Sequence, residues 1–260
     1  MSSIDATLTR VLGALDEVAE TSLVWPTGLL NPGGPHRRIK GHLYPISIGD
    51  DECRVFGRLI ERLRPEHCYI IGNAFGLSSV YVACMMRDNG GISVTTLDDR
   101  SEGQGERIAG IADALADKLE LGGILQNRKG RAPGDIGTTA KQPRYELIFV
   151  DGLHRHPQVT RDFLGVLPYC ADDTVVVFHD SWIAGVPEAV KEAKRRGLRC
   201  LWIPTSCEMI LATTGQSLFA DLETIFPEGD ENRRRRSYIY GYWLHLREVL
   251  SFRLGEMRRS

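Results

Sequence analysis

The sequence predicts an α/β fold: a doubly wound, mostly parallel seven-stranded sheet with helices on both faces, preceded by a helical and loop segment and followed by a helical extension. Three observations carry that expectation. Short β-rich runs recur between residues 68 and 212, and helix-length amphipathic stretches separate most of them. Strands spaced in this way cannot pair as hairpins and need βαβ crossovers, hence parallel neighbours. Two of the runs, LIFV at 147–150 and TVVVF at 174–178, are apolar throughout, as strands covered on both faces are.

In chain order, a helix is expected over 4–20. A long loop over 25–44 follows, in which Pro26, Pro32, Gly33, Gly34, Pro35 and Gly41 break regular structure. A helix over 50–63 leads into a first core strand at 68–71. The alternation then runs helix 77–87, strand 92–97, helix 106–119, a weaker strand at 123–125, strand 146–150, helix 157–167, strand 174–178 and helix 187–196. Two final strands, 200–203 and 209–212, precede a helix at 216–225 and a turn at 227–232. The chain divides into a helical and substrate-loop segment (1–49), a core (50–214) and a helical extension rich in arginine and aromatic residues (215–260).

With 260 residues, 42% hydrophobic and 25% charged, the chain can bury one large core or at most two small ones, which excludes a disordered protein. The formal net charge of −2 disfavours a bulk electrostatic nucleic-acid binder. That value averages an uneven chain: residues 233–260 hold eight Arg and two Glu, +6, and leave −8 on the rest. Any polyanion binding must therefore rest on the tail, with Arg233–Arg236 for phosphates and Tyr238, Tyr240, Tyr242 and Trp243 for stacking. Trp243, Leu246, Leu250 and Leu254 are spaced as the apolar stripe of a packed helix, which argues instead for docking on the domain or a homodimer. No run of about 18 apolar residues spans a membrane, and the opening MSSIDATLTR lacks the layout of a signal peptide, so a cytoplasmic protein without membrane partners is expected. The six cysteines show no CxxC pair and read as small buried hydrophobes in a reducing compartment.

Chemistry concentrates at predicted strand ends. In CYIIGNAFGLSSVY, Gly72 ends the first core strand, and Gly76 and Ser78 stand where a helix begins. There backbone can approach a ligand and free N–H groups can hold an anion, although tight packing alone also demands such glycines. The next strand ends at Asp98, with Asp99 as the alternative, where a carboxylate can accept ribose hydroxyls. Two further strands end in Asp151 and in His179–Asp180, with His154 nearby. Converged, these groups suit a divalent metal, a general base beside an acceptor hydroxyl, or only a polar rim.

On these residues the chain resembles the class I S-adenosylmethionine-dependent methyltransferases. It looks most like their small-molecule O-methyltransferase branch, in FVDGLHRHPQVTRDF and VVVFHDSW above all. The resemblance implies a Rossmann-like core, with Gly72, Asn73, Gly76 and Ser78 under the methionine moiety, Asp98 on the ribose and Arg131 flanking the adenine. It implies Ser47 over the cofactor's methionine end and Asp151 as a cofactor-side and catalytic or metal-binding acid. His179 and Asp180 fall where the catechol type carries its metal pair, which makes Asp151, His179 and Asp180 the candidate ligands of Mg²⁺ or another divalent ion. Asp151 or His179 is the expected base, supported by His154. Two positions depart from the pattern: Ile70 stands where an acid usually holds the cofactor ammonium, and Ala74 replaces a common glycine. The expected function is methyl transfer to a hydroxyl, less readily an amine, of a small molecule. The alternatives are a cofactor-binding module without catalysis and a nucleic-acid methyltransferase.

Overall fold

In chain order, the computed structural model forms α1 (Ser3–Thr21), β1 (Arg38–Ile39), β2 (His42–Leu43), α2 (Asp50–Leu63), β3 (His67–Ile71), α3 (Leu77–Asp88), β4 (Ser93–Asp98), α4 (Gly105–Lys118), β5 (Leu125–Lys129), β6 (Tyr145–Val150), α5 (Gln158–Val166), β7 (Cys170–Phe178), α6 (Gly185–Arg195), β8 (Arg199–Ile203), β9 (Met209–Thr213) and α7 (Gln216–Ile225). The structure describes residues 2–21, 38–39, 42–43, 48–100, 105–137, 143–154, 157–181, 185–205 and 207–231. The loop expected over 25–44, Ser47, Trp182, His156 and the arginine and aromatic tail fall outside them, apart from the short pair β1–β2.

Seven strands form one sheet in the order β5-β4-β3-β6-β7-β9-β8. The pairs β3–β4, β4–β5, β3–β6 and β6–β7 are parallel, whereas β9 runs antiparallel to both β7 and β8. The exception is local: only a five-residue loop links β8 to β9, room for a hairpin and not for a crossover helix. Side chains alternate across the sheet. Cys68 and Ile70 of β3, Leu147 and Phe149 of β6 and Val175 and Val177 of β7 face a core shared with α1, α2, α3, α4 and α7. Tyr69, Ile71, Ile148, Val150, Val176 and Phe178 face a second core under α5 and α6. The predicted doubly wound sheet is therefore present, with α1 and α7 part of its packing.

Differences from the sequence reading lie at the edges. The weak strand expected at 123–125 forms two residues later, at Leu125–Lys129. Gly122 and Gly123 belong to the turn after α4, and the polar run Gln126–Lys129 disguises an edge strand that needs only one buried face. The helix expected from Pro187 starts at Gly185 and holds the proline in its first turn, where a missing N–H costs nothing. Residues 227–231 do turn, and Asp230 exchanges two backbone hydrogen bonds with Trp202 at 3.0 and 3.1 Å.

Candidate active site

The strand order reverses between β3 and β6, the place where open α/β sheets bind ligands. At the carboxyl ends of β4, β3, β6 and β7 stand Asp98, Gly72, Asp151 and the His179–Asp180 pair, side by side on four adjacent strands. Neighbouring strands lie about 4.8 Å apart, so these tips span on the order of 15 Å.

The glycine turn is built for close approach. Gly72 has φ +87°, and a Cβ there would lie 2.2 Å from the Asp151 carbonyl oxygen. Gly76, also at φ +87°, leaves room for Ala112 of α4, 2.5 Å from where its Cβ would be. Both glycines are thus required by protein packing before any ligand enters. Ala74 adopts the left-handed φ of 43° without being glycine, and Ile70 is fully buried in the core beneath α1–α4. Asp98 closes the turn: its Oδ2 accepts the N–H groups of Asn73 and Ala74 at 2.7 and 3.1 Å, and its Oδ1 accepts that of Arg100 at 2.7 Å. Three accepted bonds leave a carboxylate with capacity for one more, about four lone-pair sites in all. Asn73 is nearly buried and donates through Nδ2 to Asn127, leaving its Oδ1 without a partner. Ser78 is buried in the first turn of α3, and the Arg131 side chain is exposed, 3.9 Å from Asp99.

Asp151, His154, His179 and Asp180 converge as expected. Asp151 Oδ1 lies 2.9 Å from His179 Nδ1 and 3.2 Å from His154 Nε2, and Asp180 Oδ2 lies 3.4 and 3.5 Å from the Nδ1 atoms of the same two rings. Asp180 holds φ at 53°, a conformation rare outside glycine and common at functional sites. Burial by itself would make the His179 ring less basic, but Asp151, Asp180 and Glu52 reverse this and raise its pKa well above the usual imidazole range. The same opposition leaves His154 raised more modestly, and the cationic rings hold Asp151 and Asp180 below the ordinary carboxylate range despite their burial. His179 is accordingly an embedded imidazolium, whereas the 22% exposed His154 ring is the open face of the cluster.

Two members were absent from the sequence reading. Glu52, in the first turn of α2, is completely buried. Its Oε2 accepts the Gly49 N–H at 2.8 Å, and its Oε1 accepts the Thr205 hydroxyl and the Cys207 N–H at 3.2 and 3.1 Å. The same Oε1 lies 3.2 Å from His179 Nε2, out of line for a hydrogen bond, so that ring nitrogen is buried without a partner. Cys207, in the β8–β9 loop, reaches both His179 and Asp180, and burial pushes its thiol up to about 12. The expectation that the cysteines are buried hydrophobes holds for Cys53, Cys68, Cys84 and Cys200; Cys170 and Cys207 are partly exposed, and Cys207 belongs to this cluster. A sequence signal existed for Glu52, a lone acid facing the apolar side of α2 beside Cys53, Val55 and Phe56.

The fold is shared with known proteins. Residues 70–181, from the glycine turn to just past Asp180, match the family described as a methyltransferase domain. The seven-stranded sheet around that segment is the Rossmann-like methyltransferase fold. Among solved structures, it is similar to the O-methyltransferase from Bacillus cereus in complex with SAH, at 16% identity and a TM-score of 0.57, covering 78% of this chain and 91% of that one. It is also similar to the O-methyltransferase TomG from Streptomyces achromogenes, solved with SAM, at 16% identity and a TM-score of 0.58, covering 78% and 90%. Cofactor-bound Rv0187 from MTB aligns at 14% identity and a TM-score of 0.59, covering 79% and 89%. No curated protein sequence matches the chain. Among the described residues no helix is long and apolar enough to cross a membrane.

Proposed function

We propose that the protein transfers the methyl group of S-adenosylmethionine to a hydroxyl of a small molecule, with His154 as the general base. The observation that carries this reading is the Asp151–His154–His179–Asp180 cluster on the two strand tips beside the glycine turn. Methyl transfer is an in-line displacement at a sulfonium carbon, so the protein's largest contribution is alignment of nucleophile, methyl and sulfur. Gly72, Asn73, Gly76 and Ser78 would carry the cofactor's methionine end, with Asp98 on the ribose and Arg131 beside the adenine. Ser47, outside the described residues, keeps its assignment over the methionine end.

Within the cluster the roles divide by charge. His179, protonated and buried, keeps Asp151 and Asp180 ionised. Those two carboxylates orient His154 and stabilise its charged form, as a base needs once it has taken the acceptor's proton. This assignment moves the base from Asp151 or His179 to His154, because the buried His179 imidazolium holds its proton most firmly and weakens Asp151 as a base, whereas the more exposed and less shifted His154 ring is the one that can lose its proton. The donor atoms of Asp151, His154, His179 and Asp180 lie within 4.8 Å of one another and fit a divalent cation in spacing. Mg²⁺ favours oxygen ligands and would rest on Asp151 and Asp180, whereas the imidazoles suit a softer ion. Such an ion would supply Lewis-acid activation of the acceptor hydroxyl. The proposed acceptor is a small molecule, and the apolar stripe Trp243, Leu246, Leu250 and Leu254 supports a proposed cytoplasmic homodimer.

The test is transfer of labelled methyl into a metabolite extract, alongside calorimetry with S-adenosylmethionine. His154→Ala should lower kcat about 10²- to 10⁴-fold with cofactor affinity largely kept. Wild-type rates should rise with pH through a value above that of a free imidazole, as His154 loses its proton. Full activity in both His154→Ala and Asp151→Asn would remove the proposed site. Absence of cofactor binding at millimolar ligand would favour a non-catalytic module, the alternative that Ile70 and Ala74 raise.

A further inference from the structure

The His179 ring has two unlike sides. Nδ1 faces Asp151 at 2.9 Å, in hydrogen-bond geometry. Nε2, on a side chain only 6% exposed, has no hydrogen-bond partner and points to a second set of donors, Glu52 and Cys207. One ligand atom each from Glu52, His179 and Cys207 lies within 4.8 Å of the others, and the Nε2 to Oε1 separation is already 3.2 Å. In a tetrahedral site with bonds of about 2.0 Å to N and O and about 2.3 Å to S, ligand atoms sit roughly 3.3–3.7 Å apart. The Nε2 to Oε1 pair already has that spacing, and no pair of the three exceeds 4.8 Å, a separation that side-chain movement can close.

We infer that Glu52, His179 and Cys207 form a binding site for a borderline transition-metal ion of the Zn²⁺ type, on the side of the His179 ring opposite Asp151. An oxygen, an imidazole nitrogen and a sulfur make a mixed set that hard cations avoid and Zn²⁺ takes readily. The surroundings are those of a metal-bound histidine. The Nδ1–H donated to Asp151 fixes the tautomer that turns the Nε2 lone pair toward the metal, the carboxylate–histidine–metal arrangement. Glu52 is held in turn by Gly49, Thr205 and the Cys207 N–H. Binding releases one proton from His179 Nε2 and one from the Cys207 thiol. A divalent ion with one carboxylate, one thiolate and a neutral imidazole sums to zero charge, which suits a buried site. The metal then supplies the positive charge that the imidazolium otherwise provides beside Asp151. Three protein ligands leave a fourth position for water or a ligand.

The test reads the metal and is independent of methyl transfer. The full-length protein, stripped with chelator, is titrated with Co²⁺ and with Zn²⁺ by calorimetry, and the Co²⁺ form is examined for the near-ultraviolet thiolate-to-cobalt charge-transfer band. The expected result is one ion per chain with that band present. Cys207→Ser should abolish the band and weaken binding at least 10-fold, and Glu52→Gln should weaken it similarly if that variant folds. No binding at micromolar metal would overturn the site. So would a bound Co²⁺ that lacks the band, or an affinity that survives Cys207→Ser and is lost in Asp180→Asn, which assigns the ion to the Asp151 side.

Discussion

At the scale of single residues, the glycine turn makes opposite demands on neighbouring positions. Gly72→Ala would force a Cβ against the Asp151 carbonyl at 2.2 Å in a left-handed backbone, and the loss should be about 3 kcal/mol in denaturant unfolding. Ala74→Gly relieves a φ of 43° and should stabilise by about 1 kcal/mol. A second residue-level effect concerns Asp162 of α5, 2% exposed and bonded to Gln158 Nε2 at 2.6 Å. Burial raises its pKa from 3.8 to about 6, a change that the Gln158 hydrogen bond and Arg131 only partly oppose. Between those values the folded chain holds the proton more firmly than the unfolded chain, so stability should fall as pH rises from about 4 to about 6 and stay lower above it. The full effect is on the order of 3 kcal/mol. Asp162→Asn should flatten this step and exceed the wild type at pH 7, as measured by unfolding across a pH series.

At the scale of elements, the site depends on which segments share the core. Leu8, Val11 and Leu15 of α1 are buried in the cluster that also contains Phe56, Val80 and Phe149. Leu15→Ala should therefore cost about 3 kcal/mol of the cooperative unfolding of the whole core, and a separate, earlier transition for α1 would contradict that packing. The same face presses α2 onto the sheet and delivers Glu52 beneath His179. The β8–β9 loop does the corresponding work from the other side with Thr205 and Cys207. Strand ends, by contrast, were legible from sequence. Gly72, Asp98, Asp151 and the His179–Asp180 pair each follow an apolar run directly, whereas their convergence depended on adjacency of the strands, which the order β4-β3-β6-β7 supplies. Glu52 was not legible because the contacts that bury it are remote: Thr205, which bonds its carboxylate, is 153 residues away. Cys207 was hidden in the same way, since its partners lie on other strands.

At the scale of the whole molecule, a cofactor held by the proposed residues would lie across the strand tips and tie both halves of the sheet together. S-adenosylhomocysteine at 100 times its Kd should stabilise the folded chain by about 2.7 kcal/mol, seen as a rise in Tm, if it binds only the folded state. The sequence by itself determined the sheet, because apolar periodicity and the lengths between strands leave few other ways to bury these segments. It also determined the strand-tip acids and histidines, because strand ends are local features. Only the tertiary structure decided their charge states and ranking. His154 became the accessible ring and His179 the buried cation through the placement of Asp151, Asp180 and Glu52 around them, and electrostatic energy in a buried cluster depends on distance in space and not on separation along the chain.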